Sequence, residues 1–439
     1  MSSMSPDDRE ILRLAVPAFA ALVAEPLFLL ADYAIVGRLG TGALGALSVA
    51  GTILATIVNL CVFLAYGTTA AVARRIGAGA RREAVQGGMD GLWLAAAIGL
   101  AVVVVCWPLA PWLVGLVGAE PGIVDDAVTY LRVSLLGAPG MLLVLAGTGV
   151  LRGLQDTLTP LIVSVGGFAL NAALNAWFVL GLDWGLAGSA SGTAAAQTLM
   201  AVTYLVMVVR GARREGASLR PDISGIKASG LAGVAILIRT LCLRVVLIVA
   251  TVMAARMGTA QVAAHGIMFQ IWTLLAFALD AIAIAGQAII GRQLGAGALA
   301  AARRATWRMI LWGIGSGVVL GLGLLAAGPF VPALFDADAS VTAALASIVW
   351  IAAVLQPAAG VVFVLDGVLI GAGDQRYLAW AAVATTIAFL PFALVAGSLA
   401  GLWLAIGVWV AARLITLGTR AYGSKWLVAG PTVAKPPAP

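Results

Sequence analysis

Arg38-Leu39-Gly40-Thr41 recurs as Arg256-Met257-Gly258-Thr259, 218 residues further along (256 less 38). The same displacement carries Arg74 and Gly77-Ala78-Gly79 onto Arg292 and Gly295-Ala296-Gly297. It carries Pro111 onto Pro329 and Glu120 onto Asp338. It holds again from Gly149-Val150-Leu151, Gly153 and Asp156 to Gly367-Val368-Leu369, Gly371 and Asp374. Each match alone is weak. A register that does not drift over more than a hundred residues is strong, so the chain is two copies of one unit.

Composition says what the unit is made of. Of the 439 residues 62% are hydrophobic and 10% charged, against about 25% charged in an average soluble protein. That leaves too little polar surface to cover a soluble globule. A soluble enzyme, a disordered chain and a secreted disulfide scaffold are excluded. Twelve apolar runs are long enough to cross a bilayer, at about 11–36, 43–71, 89–110, 126–150, 157–181, 186–210, 229–255, 261–290, 306–328, 341–368, 377–397 and 399–420. The first is too long for a signal-peptide core. The expected fold is an all-α polytopic membrane protein with six helices in each copy. Residues 1–210 form the first lobe, 211–228 a cytoplasmic linker, and 229–439 the second lobe with a short tail. An even number of spans returns the chain to the same side, so the repeats are parallel, an arrangement found among transporters.

Loop charges give the orientation. Arg74, Arg75, Arg81, Arg82, Arg152, the Arg210–Lys227 cluster, Arg292, Arg303, Arg304 and Arg308 fall on one side. Glu120, Asp125, Asp126, Asp183, Asp336 and Asp338 fall on the other, with only Arg38 and Arg256 as cations. Both termini are therefore expected in the cytoplasm of a bacterial inner membrane. Arg132 and Arg413 lie within apolar runs and take no part in that count. The net charge of +7 is spread over short loops, unlike the clustered patch of a nucleic-acid binder. Cys61, Cys106 and Cys242 sit in apolar runs and read as small buried hydrophobes.

Ionisable groups inside a bilayer are costly and point to function. The first run carries Glu25 and Asp32, seven apart and on one helical face. The fifth carries Asn171 and Asn175, four apart on one face. With Thr148 of the fourth run, these residues could converge on one cavity, where a buried carboxylate between amides makes a workable proton site. The repeat separates chemistry from scaffold: Asp32 aligns with Ala250, Asn171 with Phe389 and Asn175 with Ala393. Only the first copy carries the set. The competing reading of the Asn pair is interhelical hydrogen-bond glue worth about 1 kcal/mol. The second copy has its own buried charges, Arg239, Arg244, Asp280 and Asp366, read mainly as charge pairs. His265, the single histidine, reads as a satisfied polar residue. Gly313, Gly317 and Gly321, and Gly188 with Gly192, read as packing seams. Pro17 and Pro26 interrupt the first run and are candidate hinges.

No catalytic residues or metal site are expected. There is no Walker A loop, one histidine cannot build HExxH, and no Gly-x-Ser-x-Gly elbow occurs.

Four segments carry a family resemblance. They are Asp32-Tyr33-Ala34-Ile35-Val36-Gly37-Arg38-Leu39-Gly40, Leu279-Asp280 through Gly291, Val368-Leu369-Ile370-Gly371-Ala372-Gly373-Asp374, and Gly401-Leu402-Trp403 through Arg413-Leu414. In that order on a duplicated twelve-helix chain, the sequence resembles a multidrug and toxic compound extrusion (MATE) transporter of the DinF-like branch. The resemblance implies a V-shaped bundle of two six-helix lobes that exports organic cations and amphipathic drugs in exchange for H⁺ or Na⁺. It needs no cofactor, works as a monomer in the lipid bilayer, and is not an enzyme. The family's first-helix aspartate corresponds to Asp32 and its paired fifth-helix positions to Asn171 and Asn175. Many relatives have an aspartate where this chain has Asn175. Na⁺ prefers several anionic hard oxygens whereas a proton needs one basic group, so H⁺ is the expected coupling ion and Na⁺ the alternative. Glu25, Tyr33, Thr148, Phe168 and Asn171 are the expected lining of the substrate cavity. Protonation of Asp32 is expected to release substrate. The alternatives are a flippase for lipid-linked precursors, which would show a strongly cationic cavity, and a channel or membrane-embedded enzyme.

Overall fold

The computed structural model describes residues 5–432. Nearly all of this is helix, in the order α1 (Pro6–Val36), α2 (Thr41–Leu60), α3 (Phe63–Gly77), α4 (Arg81–Val117), α5 (Val124–Leu135), α6 (Ala138–Gly153), α7 (Leu158–Ala176) and α8 (Gly185–Arg214). The second half continues with α9 (Ile223–Met257), α10 (Thr259–Gly295), α11 (Leu299–Ala327), the single turn α12 (Val331–Leu334), α13 (Ala339–Gly371), α14 (Gln375–Leu394) and α15 (Leu399–Tyr422). Among the described residues, eleven segments are long and apolar enough to cross a membrane, and the bent pair α5–α6 makes a twelfth.

The 218-residue register reappears in the helix boundaries. Together α2 and α3 run Thr41–Gly77, and α10 runs Thr259–Gly295, displaced by 218 at both ends. The same displacement relates the starts of α4 and α11, Arg81 and Leu299, and the ends of α6 and α13, Gly153 and Gly371.

The copies differ in continuity. Where α2 and α3 are separate, α10 runs unbroken, and where α5 and α6 meet at a 47° bend, α13 runs straight through Pro357. Proline removes a helix hydrogen bond and crowds the preceding turn, yet Pro139 and Pro357 are equivalent under the register, so proline alone does not make the corner. The first copy adds Gly137 where the second has Leu355. A Cβ on Gly137 would lie 2.9 Å from the Cα of Ala194 on α8, so this close approach depends on glycine.

Two compact units form. One is Ala20–Gly233, and the other gathers the described residues of Met1–Phe19 with Val234–Pro439. These boundaries fall inside α1 and α9, not in the segment read as a linker. Only residues 215–222 lie outside helix there, because α8 continues to Arg214 and α9 starts at Ile223. The start of α1 is fixed by charge to α11 and α10 of its unit. Asp8 accepts hydrogen bonds from Arg308 Nε (2.6 Å), Arg308 Nη2 (2.5 Å) and Trp312 Nε1 (2.8 Å), and Glu10 pairs with Arg292 at 2.7 Å. The residue before α9 is fixed to α4 within the Ala20–Gly233 unit. There the Asp222 N–H donates to Asp90 Oδ1 at 3.2 Å.

Within residues 20–233 a core forms from Ala46, Ala50 and Ile53 of α2, Ala110 and Val114 of α4, and Leu131 and Leu135 of α5. The other unit closes through the expected small-residue seam. A Cβ on Gly313 would lie 2.7 Å from Gly360 O, and one on Gly317 would lie 2.6 Å from the Pro357 Cα. Close backbone approach of this kind supplies the van der Waals contact that holds helices together in lipid. Asp338 caps α13, accepting from the N–H groups of Ser340 (2.8 Å) and Val341 (2.9 Å). Leu30, Val104, Leu116, Val319 and Trp380 point outward. Such side chains on a soluble protein would make adhesive patches; on helices long and apolar enough to cross a membrane they suit an apolar surround. The three cysteines are free thiols.

Candidate functional site

Three helices of the 20–233 unit bring polar side chains to one buried point. From α1 comes Asp32, from α7 come Asn171 and Asn175, and from α8 comes Thr193. Asn175 Nδ2 donates to Asp32 Oδ1 at 2.7 Å, and Asn171 Nδ2 donates to Asp32 Oδ2 at 3.3 Å. Thr193 Oγ1 donates to Asn171 Oδ1 at 3.3 Å. Asp32 and Asn171 are each 7% exposed and Asn175 is fully buried. Each carboxylate oxygen therefore has an amide donor, as a carboxylate out of water needs.

One atom does not fit a purely structural network. Asn175 Oδ1 is buried and has no hydrogen-bond partner. It faces the backbone of Gly192 on α8, where any Cβ would collide with it. An unsatisfied buried acceptor costs about 1–3 kcal/mol. Immediately after the site, Trp177–Gly181 forms a π-helical turn, a deviation frequent at functional sites.

The other expected residues divide. Phe168 lies near the site on α7, with its ring 5.2 Å from that of Phe28 on α1. Glu25 and Tyr33 share α1 but are exposed, and neither hydrogen-bonds to the Asp32 group among the described residues. Thr148 does not join it: its Oγ1 donates to the buried Tyr204 hydroxyl at 3.0 Å. Pro17 and Pro26 lie within an unbroken α1. Thr193 carries no such signal in the sequence. In a helix rich in Gly, Ala and Ser it reads as packing, and only its register with Asn171 marks it.

The buried charges of the second copy pair differently from the expectation. Asp366 of α13 accepts from Arg239 Nε (3.4 Å) and Nη2 (2.7 Å) on α9. Its Oδ2 also accepts from Arg413 Nη2 of α15. Arg413, set aside when loop charges were counted, thus completes the cluster, while Arg244 makes no ion pair among the described residues. Asp280 is half-buried on α10. His265 is not the satisfied residue expected. Its Nδ1 is buried without a partner, and its ring is held by Phe269 and Trp403 at 6.1 and 5.9 Å between centroids.

Comparison with known proteins agrees with the architecture. The MatE family model matches residues 17–177 and 235–395, two segments again displaced by 218. Protein DETOXIFICATION 44, chloroplastic, from Arabidopsis thaliana is 30% identical over 96% of this chain and 84% of its own length. DNA damage-inducible protein F of Escherichia coli K12 is 29% identical over 95% of this chain and 92% of its own. Among solved structures, an outward-facing multidrug resistance MATE family transporter of the MOP superfamily superposes with a TM-score of 0.85 at 22% identity, covering 95% of this chain and 96% of that one. A MOP superfamily transporter from Pyrococcus furiosus gives 0.84 at 21% identity over 94% of each chain. Members of the matched family are membrane transporters that carry small molecules, not enzymes. With both copies matched in register and a similar twelve-helix architecture, the chain belongs to the MATE family of multidrug and toxic compound transporters, in its DinF-like branch.

Proposed function

We propose that this transporter exports organic cationic and amphipathic compounds by H⁺ antiport, with Asp32 as the proton carrier. The observation that carries the reading is the Asn175 side chain. Its Nδ2 donates to Asp32 while its Oδ1 waits without a partner. An ionised carboxylate needs donors, and the two amide nitrogens supply them. A protonated carboxyl needs an acceptor for its new O–H. Rotation of the Asn175 amide would present Oδ1 to that proton, so one side chain serves both states. The rearrangement loosens the α1–α7 contact and couples proton uptake to substrate release. Proton rather than Na⁺ coupling is favoured by the donor set: one carboxylate with amide and hydroxyl groups, and no group of three or more acids, histidines or cysteines among the described residues.

In this reading the substrate cavity is lined by Tyr33, Phe168 and Asn171, with Glu25 at its edge. The two units built from the repeats, Ala20–Gly233 and the described residues of Met1–Phe19 with Val234–Pro439, would be the bodies that alternate access. The Arg-rich loops favour a topology with both termini on the cytoplasmic face of an inner membrane.

The test is dye efflux in proteoliposomes under separate H⁺ and Na⁺ gradients. An H⁺ gradient should drive export of a cationic dye such as ethidium, and Asp32→Asn should abolish it while the protein stays folded. Export at the wild-type rate by folded Asp32→Asn, or drive by Na⁺ alone, would overturn the reading.

A further inference from the structure

Pro111 lies inside α4 and has no N–H to give the carbonyl one turn earlier, that of Trp107. A side chain takes its place. Arg132 of α5 donates from Nε to the Trp107 carbonyl oxygen at 3.3 Å, and its guanidinium packs 4.8 Å from the centroid of the Trp107 ring. Backbone and ring of one residue thus hold the guanidinium from two sides. All three residues belong to the Ala20–Gly233 unit.

The rest of that cation is unmet. A guanidinium has five N–H donors, and Arg132 uses the one on Nε. Those on Nη1 and Nη2 make no hydrogen bond or ion pair among the described residues. Asp125 and Asp126, the acids of the same helix, stand seven and six residues earlier and are exposed at its start, about 10 Å away by helix rise. A ring contact does not cancel a charge, and an unpaired cation within a span is costly.

The surroundings and the depth say what meets it. Trp107 is exposed, as are Val104 one turn before it on α4 and Leu136 one turn after Arg132. This is an apolar, outward-open face. The 37 residues of α4 make about 55 Å of helix against a hydrocarbon core of about 30 Å, so a centred helix projects about 12 Å at each end. Arg132 stands eight residues after Val124, where α5 begins, and Trp107 ten residues before Val117, where α4 ends. By helix rise they lie about 12 and 15 Å from the same end of the unit, at the level where acyl chains give way to headgroups. The register adds a further point. Pro111 aligns with Pro329, but Arg132 aligns with Trp350 and Trp107 with Leu325, so the second copy keeps the proline without the cation.

We propose that Arg132 binds the phosphate of an anionic phospholipid lying against α4 and α5, with Nη1 and Nη2 on the phosphate oxygens. The phosphate supplies the counter-charge and the apolar face takes the acyl chains. The site is separate from the Asp32 group and does not depend on the antiport reading.

The experiment is native mass spectrometry of the full chain in neutral detergent, titrated with dioleoyl phosphatidylglycerol or dioleoyl phosphatidylcholine. The first phosphatidylglycerol should bind about tenfold more tightly than the first phosphatidylcholine. Arg132→Gln should remove that preference. Trp107→Leu keeps the charge but not the stack and should weaken phosphatidylglycerol binding about threefold. Replacing Arg213 and Arg214 at the end of α8 by Gln should leave the preference intact, and inorganic phosphate should not displace the lipid. Equal affinity for the two lipids, an unchanged response in folded Arg132→Gln or Trp107→Leu, loss of the preference in the α8 variant, or displacement by inorganic phosphate would overturn the proposal.

Discussion

Asn175 Nδ2 lies 2.7 Å from Asp32 Oδ1, joining α7 to α1 across 143 residues of sequence. Replacing the donor by a second acid tests what this contact is for. In Asn175→Asp two carboxylates would share the position, and like charges at that distance need a proton or a cation between them. A Na⁺ gradient should then drive more dye flux in the variant than in the wild type. Proteoliposome efflux at constant pH, with and without Na⁺, measures it. An unchanged ion dependence would mean that position 175 does not select the ion.

Gly192 tests the unpartnered end of the same amide. A Cβ there would collide with Asn175 Oδ1. Gly192→Ala should displace the amide and reduce efflux about tenfold, while the stability loss stays within the ~1–3 kcal/mol typical of overpacking. Efflux and thermal unfolding are read on the same preparation. Full activity would show that the amide can be displaced without consequence.

The Asp366 cluster yields a stability prediction. Asp366→Ala leaves the Arg239 and Arg413 guanidinium groups facing each other without their carboxylate. Removing one partner of a buried ion pair costs about 3–5 kcal/mol. Adding Arg413→Gln removes one of the two stranded cations and should restore part of that loss. A double-mutant cycle by thermal unfolding checks the sign of the coupling, and additive losses would count against a shared cluster.

Asp338 gives a pH signature. The Ser340 hydroxyl and the backbone N–H of Val341 hold its carboxyl below the usual carboxylate range. A depressed acid stabilises the folded state above its unfolded pKa of about 3.9, and the effect is lost as pH falls through the lower folded value. Asp338→Ala should therefore melt at a lower temperature than wild type at pH 7, with the gap closing on acidification below about pH 3.9. Melting curves across that range measure the gap, and one that persists at low pH would place the cap's contribution elsewhere.

Much of this architecture is legible in the chain because the two copies stay in register. Gly153 and Gly371 end one pair of equivalent helices, and Thr41 and Thr259 begin another. The Asp32 group is legible because a four-residue spacing puts Asn171 and Asn175 on one face and the second copy lacks all three residues. Thr148 shows the limit. Its own helix fixes the direction of its side chain but not which neighbour it meets, and the neighbour is Tyr204. Arg413 is hidden in the sequence for a different reason. A topology count discards cations inside apolar runs, yet the asymmetry that singled out Asp32 also applies to Arg413, which faces Ala195 in the register. The corner at Gly137 was hidden because the proline beside it has an equivalent in the unbroken α13.

The placement of the unit boundaries inside α1 and α9 has a consequence for dissecting the gene. Cutting the coding sequence at residues 215–222 separates the repeats but not the bodies they build. A fragment ending there lacks residues 223–233, which open α9 and belong to the Ala20–Gly233 unit. Its counterpart lacks the start of α1, whose Asp8 binds Arg308. Each half is then the missing piece of the other, as in a reciprocal strand exchange. Halves produced alone should be defective, and halves produced together should reassemble, which makes co-expression the way to recover function from a split chain.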